Sequence, residues 1–374
     1  MTAFKGIRYA RAERLGSPVM EDLPSGVPQG EMLVCPQPES RLGGIHGPGN
    51  PSNPLSEDCL RLSVFTPDKD DAPHPVIVWI CGGSFITGSG LFARYDGTTL
   101  SRDCNAVVVC VSYRVGALGF LPGDGLRPGL QDQICALQWV RKYIRRFGGD
   151  PERVTVCAQS AGAYSLALLI STLKEPLFSK AILFSAPLGL NMSLRDGARV
   201  RRLFGDRLRQ PVESASFKEI LDAQEFTVKA WHGSVPFMPA GVNPFPHGKA
   251  LPGLGKVLLC CQLDDAATYV QKLPAVLRRI ATKIVTWIVF RRPMMHYAKA
   301  LRCCGVEVET RIFGWRPEGG TLGACHTLEL PLFFGNREYW KAADMLQNVS
   351  EDEYERRGHQ FRREISAIIN DKKI

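Results

Sequence analysis

Apolar residues fall along this chain in two rhythms. Residues 76–81 are an unbroken apolar run and 106–113 a second one interrupted only by Ser112, the pattern of strands buried on both faces of a sheet. Residues 60–66 alternate apolar with polar, which predicts a strand covered on one face. Between Gln131 and Phe147 the apolar residues Ile134, Leu137, Val140, Ile144 and Phe147 recur at helical spacing, and Gly148-Gly149 ends the stripe. A short run rich in β-branched residues follows at 153–158, then a helix-forming stretch from Ala163, then a further predicted strand at 180–186 with the apolar core Ala181-Ile-Leu-Phe184. This alternation of strand and helix predicts an α/β fold with a mostly parallel central sheet flanked by helices.

From Met192 to about Gly255 the rhythm weakens into mixed helix and proline-rich loop, with Pro236, Pro239, Pro244, Pro246 and Pro252 close together. This stretch is expected to ride over the sheet as an insertion, roughly 192–255, within a single domain spanning 1–374. Residues 256–261 and 306–313 restore two strands. Before residue 60, Pro, Gly and Ser are dense, most of all at 43–54, and loops are expected. Residues 351–369 are strongly charged and predict a surface helix. No internal repeat is found, and no run approaches the ~18 apolar residues of a membrane span.

Where the run at 153–158 gives way to helix, Ser160 sits at the corner. A serine on so abrupt a turn is pushed out of the sheet edge, and the residues two before and two after it must be small; here they are Ala158 and Gly162. In a parallel α/β sheet, functional groups gather on loops at the C-terminal ends of strands. Four such loops carry suggestive residues: Gly82-Gly83-Ser84, Ser160, Asp264-Asp265 and Cys325-His326. A serine hydroxyl needs a general base, and a histidine serves when a carboxylate fixes its tautomer and stabilises its cation. Backbone N–H groups after Gly82 are free to face a developing oxyanion.

Composition narrows the alternatives. The chain carries 46 basic and 37 acidic residues, a net +9, with the basic ones spread in short clusters and no finger or glycine/aromatic repeat beside them. That argues against nucleic acid as a partner, and a solvated basic face is expected instead. The twelve cysteines form no C-x-x-C pair, so neither a metal site nor any organic cofactor is called for; several lie in apolar runs as small buried hydrophobes, which suits a reducing compartment. The first residues lack the apolar core of a signal peptide, and a cytoplasmic location is expected.

The chain resembles the type-B carboxylesterases, the cholinesterase-like family of the α/β-hydrolase fold. The matching stretches are Phe4-Lys-Gly-Ile-Arg-Tyr-Ala10, Ser56-Glu-Asp-Cys-Leu-Arg-Leu62, Gly82-Gly-Ser-Phe85, Ser112-Tyr-Arg-Val-Gly-Ala-Leu-Gly-Phe120, Phe147-Gly-Gly-Asp-Pro151, Gln159-Ser-Ala-Gly-Ala163 and Gly323-Ala-Cys-His-Thr-Leu-Glu-Leu-Pro331. The resemblance implies a serine hydrolase that cleaves a small or medium carboxylic ester through an acyl-enzyme. Ser160 would be the nucleophile and His326 the general base and acid. Asp265 falls where the family usually has Glu, with Asp264 beside it as the alternative acid. The N–H groups of Gly83, Ser84 and Ala161 would form the oxyanion hole. Acyl transfer to an internal hydroxyl, giving a lactone, uses the same residues, and a family member kept only for binding is the reading from another class.

The departures from the family pattern carry expectations too. Cys81 stands where the family often has His or Tyr; Ser84 stands where it has a third glycine, so its Cβ is expected to narrow the space beside the acyl group and, where the site needs glycine torsions, to strain the backbone. Gln159 replaces a frequent Glu, removing a negative charge beside Ser160. No tryptophan lies between Cys35 and Cys59, so choline recognition by cation–π contact is lost. Cys35 and Cys59 match the family's first disulfide pair, which the resemblance implies forms if the protein is secreted from a longer precursor. The spacing from Asp265 to His326 is short for the family, which implies a trimmed helical region and a more open site. The resemblance begins almost at Met1, without the strands that usually precede it. The other histidines (46, 74, 232, 247, 296, 359) are expected in structural or surface roles, and Phe85, Tyr164 and Trp315 in packing.

Overall fold

The computed structural model describes residues 2–26, 29–40, 42–46, 53–67, 73–123, 127–233 and 235–370. The apolar runs lie at the centre of one eight-stranded sheet. Its strands are β1 (Thr2–Arg8), β2 (Arg61–Thr66), β3 (His74–Ile80), β4 (Val107–Val111), β5 (Gly149–Gln159), β6 (Lys180–Phe184), β7 (Lys256–Gln262) and β8 (Glu307–Phe313). They lie in the order β1-β2-β4-β3-β5-β6-β7-β8. The first two pairings, β1 with β2 and β2 with β4, are antiparallel, and every later one is parallel. All seven residues of β3 are buried, as a strand covered by helices on both faces requires.

The sheet corrects one expectation. A full strand, β1, lies in the stretch before residue 60 that reads as loop. Its pairing with β2 shifts register between Phe4 and Ile7, and Gly6 there has φ +69° with no room for a side chain, a Cβ lying 2.4 Å from the Gly30 carbonyl oxygen. That irregularity breaks the alternation by which a strand is recognised. Part of the 43–54 stretch is a short helical turn, Gly43–His46, while residues 47–52 lie outside the described residues.

Helix α1 (Pro128–Tyr143) fills the predicted helical stripe and tightens into a 3-10 turn at Ile144–Phe147. Helix α2 (Ala161–Thr172) leaves the corner at Ser160. Within 192–255, α3 (Leu194–Leu208) and α4 (Phe217–Ala230) pack as a hairpin; Ser193 and Ser216 cap them, the latter in a capping box with Glu219. Between β7 and β8, α5 (Ala275–Val285), a wide π-type turn (Thr286–Arg291) and α6 (Arg292–Cys303) run on as one helical segment. Helix α7 (Glu329–Phe334) follows the His326 loop, and α8 (Glu351–Ile369) closes the chain. The last is amphipathic rather than purely superficial. It buries Tyr354, Phe361 and Ile365, and the guanidinium of Arg362 donates to Asp103 at 2.7 Å and to the Leu332 carbonyl at 2.7 Å. No helix among the described residues is long and apolar enough to cross a membrane.

Ten of the twelve cysteines are buried thiols, Cys304 is partly covered and Cys303 is exposed. Cys35 and Cys59 are both free and buried, and interaction with the neighbouring Cys35 thiol together with burial holds the Cys59 pKa well above the ordinary thiol value.

Candidate active site

Strand β5 ends at Gln159 and α2 begins at Ala161, so Ser160 alone makes the turn, with φ +54° and ψ −122°. A side chain held at positive φ costs of order 1–3 kcal/mol. Two hydrogen bonds fix it: the Ser160 N–H donates to the Phe184 carbonyl at 2.9 Å, and the Tyr164 N–H donates to the Ser160 carbonyl at 2.9 Å. The close packing explains the small neighbours. A Cβ on Gly162 would lie 2.4 Å from the Cys81 carbonyl oxygen and 2.5 Å from that of Ile80. Gly162→Ala is therefore expected to lower stability by about 1–3 kcal/mol, seen as a lower urea midpoint with unchanged slope.

The loop after β3 lies directly on this corner, since a Cβ on Gly82 would come within 2.9 Å of the Ser160 Cβ. Gly83 has φ +132°, and a Cβ there would collide with the Thr87 carbonyl oxygen at 1.9 Å. Ser84 and Phe85 follow at φ +56° and +62°, so the backbone strain expected of a serine in this loop is present. Among the described residues no hydrogen bond engages the N–H groups of Gly83, Ser84 or Ala161.

His326 enters from the loop between β8 and α7 and is almost fully buried. Its Nδ1 lies 2.8 Å from Asp265 Oδ1. The other oxygen, Oδ2, accepts from Ser185 Oγ at 3.0 Å and from the Gln262 N–H at 2.7 Å. An ionised carboxylate only accepts, so Nδ1 carries the imidazole proton and Nε2 offers a lone pair. Asp264 turns the other way, accepting from Arg316 at 2.8 and 3.0 Å and from the Ala324 N–H at 3.0 Å. Phe290 and Tyr269 pack against the imidazole at 5.4 Å each. Phe85 and Tyr164 are buried against each other, and Trp315 bonds Glu353, so all three pack as expected.

The sequence profile of the carboxylesterase family matches residues 1–222. "Probable N-octanoylanthranilate hydrolase" of Rhodococcus erythropolis is 33% identical over the whole of this chain and 90% of its own length. The chain belongs to the carboxylesterase family. It is accordingly a carboxylic ester hydrolase with an α/β-hydrolase fold. Phenmedipham hydrolase of Pseudarthrobacter oxydans is 44% identical over 42% of this chain and 32% of its own length. Among solved structures, a thermophilic PNB esterase superposes with a TM-score of 0.81 at 28% identity, covering 98% of this chain and 87% of that one. The alignment to the Rhodococcus relative runs over 414 positions against 374 residues here, so that relative carries segments this carboxylesterase lacks.

Two residues beside the carboxylesterase site escape sequence reasoning in their contacts. Gln159, read from the sequence only as a missing charge, brings its Nε2 to 3.0 Å from His326 Nε2. With the proton on Nδ1, the amide donates to the imidazole lone pair. A glutamate cannot donate there and favours a protonated ring instead, so Gln159→Glu is expected to move the acid limb of the kcat/KM profile upward by about one pH unit.

Glu329 is the second. It lies three residues after His326 on the buried face of α7, its Oε2 accepting from Gln262 Nε2 at 2.7 Å and its Oε1 without a partner. Burial pushes its pKa from 4.5 up to about 7, opposed by His326 and reinforced by Asp265. Between those values the folded protein keeps a proton that the unfolded chain has released. The associated stability is full below pH 4.5 and is lost as pH rises to about 7, a change of roughly 3 kcal/mol. Glu329→Gln removes this dependence: its melting temperature is expected to change less than that of the wild type between pH 5 and 8, and to exceed it at pH 8. Only the Glu in the Gly323 to Pro331 stretch signals this residue in the sequence. Nothing in the sequence signals Ser185.

Proposed function

We propose that this carboxylesterase hydrolyses small or medium organic esters through an acyl-enzyme on Ser160. Ser160 Oγ attacks the ester carbonyl carbon as His326 Nε2 takes its proton, and the carbonyl oxygen becomes an anion facing the N–H groups of Gly83, Ser84 and Ala161. Collapse expels the alcohol, which receives the proton from His326. Water, deprotonated by the same nitrogen, then attacks the acyl-enzyme, releases the acid and returns the proton to Ser160 Oγ. Asp265 holds the imidazole tautomer and stabilises its cation. The observation that carries this reading is the buried 2.8 Å pair of His326 and Asp265, whose imidazole meets Gln159 at 3.0 Å, the residue directly before the serine held at φ +54°. The free N–H groups of the glycine loop support it further. Gln159 must release Nε2 for the first proton transfer, so it gates the base.

The experiment is exposure of the intact protein to a fluorophosphonate, followed by mass spectrometry and peptide mapping. A single adduct on Ser160 is expected. A folded sample without an adduct leaves the alternative of a family member kept for binding, which the Gln159 contact on His326 favours. N-octanoylanthranilate and phenmedipham, the compounds in the relatives' names, are among the first to assay, beside lactones to detect internal acyl transfer. The buried thiols support a reducing, cytoplasmic setting for this chemistry.

A further inference from the structure

Large apolar side chains point outward along the helical segment of α5 and the π-type turn. Val276 is 76% exposed, Ile280 53%, Ile284 52% and Ile288 53%, and Leu277 and Trp287 are exposed beside them. Positions four apart share one face of a helix, so these side chains form one stripe. Along α5 and the start of the turn the side facing the protein is smaller and more polar: its buried positions are Thr282 and Thr286, the latter accepting the Ala266 N–H at 3.0 Å on its hydroxyl, and a large apolar side chain is buried at Phe290, near the end of the turn. A surface helix of a globular protein ordinarily has the reverse orientation, apolar inward and polar outward.

The charges carried by this segment of the chain are of one sign. Between Asp265 and Glu307 the chain has no Asp or Glu but eight Lys and Arg, among them the exposed Arg279, Lys283 and Arg292. The Arg291 guanidinium lies 5.9 Å over the Trp287 ring, a cation and an aromatic side by side at the edge of the apolar surface.

We propose that this stripe is a docking face for an anionic lipid bilayer, with α5 and the π-type turn lying in the plane of the headgroups. A bilayer surface supplies both requirements at once: apolar depth for the isoleucines, and negative charge for the flanking cations. A second copy of the chain supplies only the first. Pairing two such faces brings two acid-free rows of cations together with no counter-charge. The stripe also adjoins the active site, because Phe290 of the same turn packs on His326. Docking therefore presents the site to esters dissolved in the bilayer. This last consequence rests on the proposed triad; the docking itself does not.

The test is co-sedimentation of the full chain with vesicles of phosphatidylcholine alone or with about 30 mol % phosphatidylserine. The expected result is at least about tenfold more binding to the anionic vesicles at low salt, largely abolished at about 0.5 M salt. The double variant I280E/I284E should lose that binding at least tenfold while keeping its melting temperature and its turnover of a water-soluble aryl ester. The variant R279Q/K283Q should lose the preference for anionic lipid. Absence of wild-type binding to anionic vesicles overturns the proposal; if light scattering then shows a dimer that I280E/I284E separates, the stripe belongs to a second copy. Equal, salt-insensitive binding to both vesicle types overturns it as well. Lipid partition is read without turnover, so failure of docking and failure of the triad are separate results.

Discussion

Ser160→Ala is expected to bring ester turnover down to near background, a loss of kcat of about 10⁴- to 10⁶-fold, with the melting temperature nearly unchanged. The substitution removes one oxygen from a turn whose backbone is fixed by other bonds. The Ser160 N–H and carbonyl both remain engaged, by Phe184 and Tyr164, and alanine meets the same positive φ as serine. The fold therefore tolerates the change while the proposed nucleophile is gone. His326→Ala should cost as much, and the double variant no more than either alone, because the proposed nucleophile and base would act as a unit. Turnover of a short-chain aryl ester, measured beside a calorimetric melt, checks both statements; undiminished turnover in Ser160→Ala overturns the assignment.

Asp265→Asn and Asp264→Asn should differ by orders of magnitude despite being neighbours. The Asp265 carboxylate accepts on both oxygens: His326 Nδ1–H on Oδ1, and Ser185 and the Gln262 N–H on Oδ2. An asparagine has only one oxygen to offer. Turned toward the fixed Gln262 N–H, it presents its NH₂ to His326 Nδ1, which must then give up its proton to Nε2. The imidazole is left in the tautomer that cannot accept from serine, and a loss in kcat of about 10⁴-fold is expected. Asp264 instead pairs with the exposed side chain of Arg316 and accepts the Ala324 N–H; the ion pair, with one exposed partner, contributes at most about 1 kcal/mol, and an asparagine keeps an oxygen for that N–H. Its asparagine variant should keep turnover within a few fold and lose little stability. Steady-state kinetics on the two purified variants, with circular dichroism to confirm folding, makes the comparison.

The legible parts of the sequence are those where one physical requirement dominates. Central parallel strands are covered on both faces, so β3 and β4 appear as unbroken apolar runs. The corner at Ser160 demands small neighbours, and Gly162 shows why, with two backbone carbonyls where a side chain would stand. Strand β1 was hidden because the irregular register at Gly6 destroys its alternation. The helical segment after Asp265 was hidden by its own composition: residues 284–290 are largely β-branched and aromatic, which suits a strand as well as a helix. The choice between Asp264 and Asp265 stayed open because spacing alone does not say which of two adjacent side chains faces the histidine. Gln159 and Glu329 gain their importance from a contact across 167 residues and from burial, neither visible in a local pattern.

The cysteine distribution gives the molecule a built-in reporter of its own opening. Cys303 is exposed and should react at once with a thiol reagent, whereas Cys81, after β3, and Cys325, beside His326, are sealed, with burial raising both to about 12. A sealed thiol reacts only when the structure around it opens, and the rate of its labelling under native conditions measures how often that happens. Timed alkylation followed by peptide mapping would thus give opening rates for the glycine loop and the histidine loop separately, without introducing a single probe.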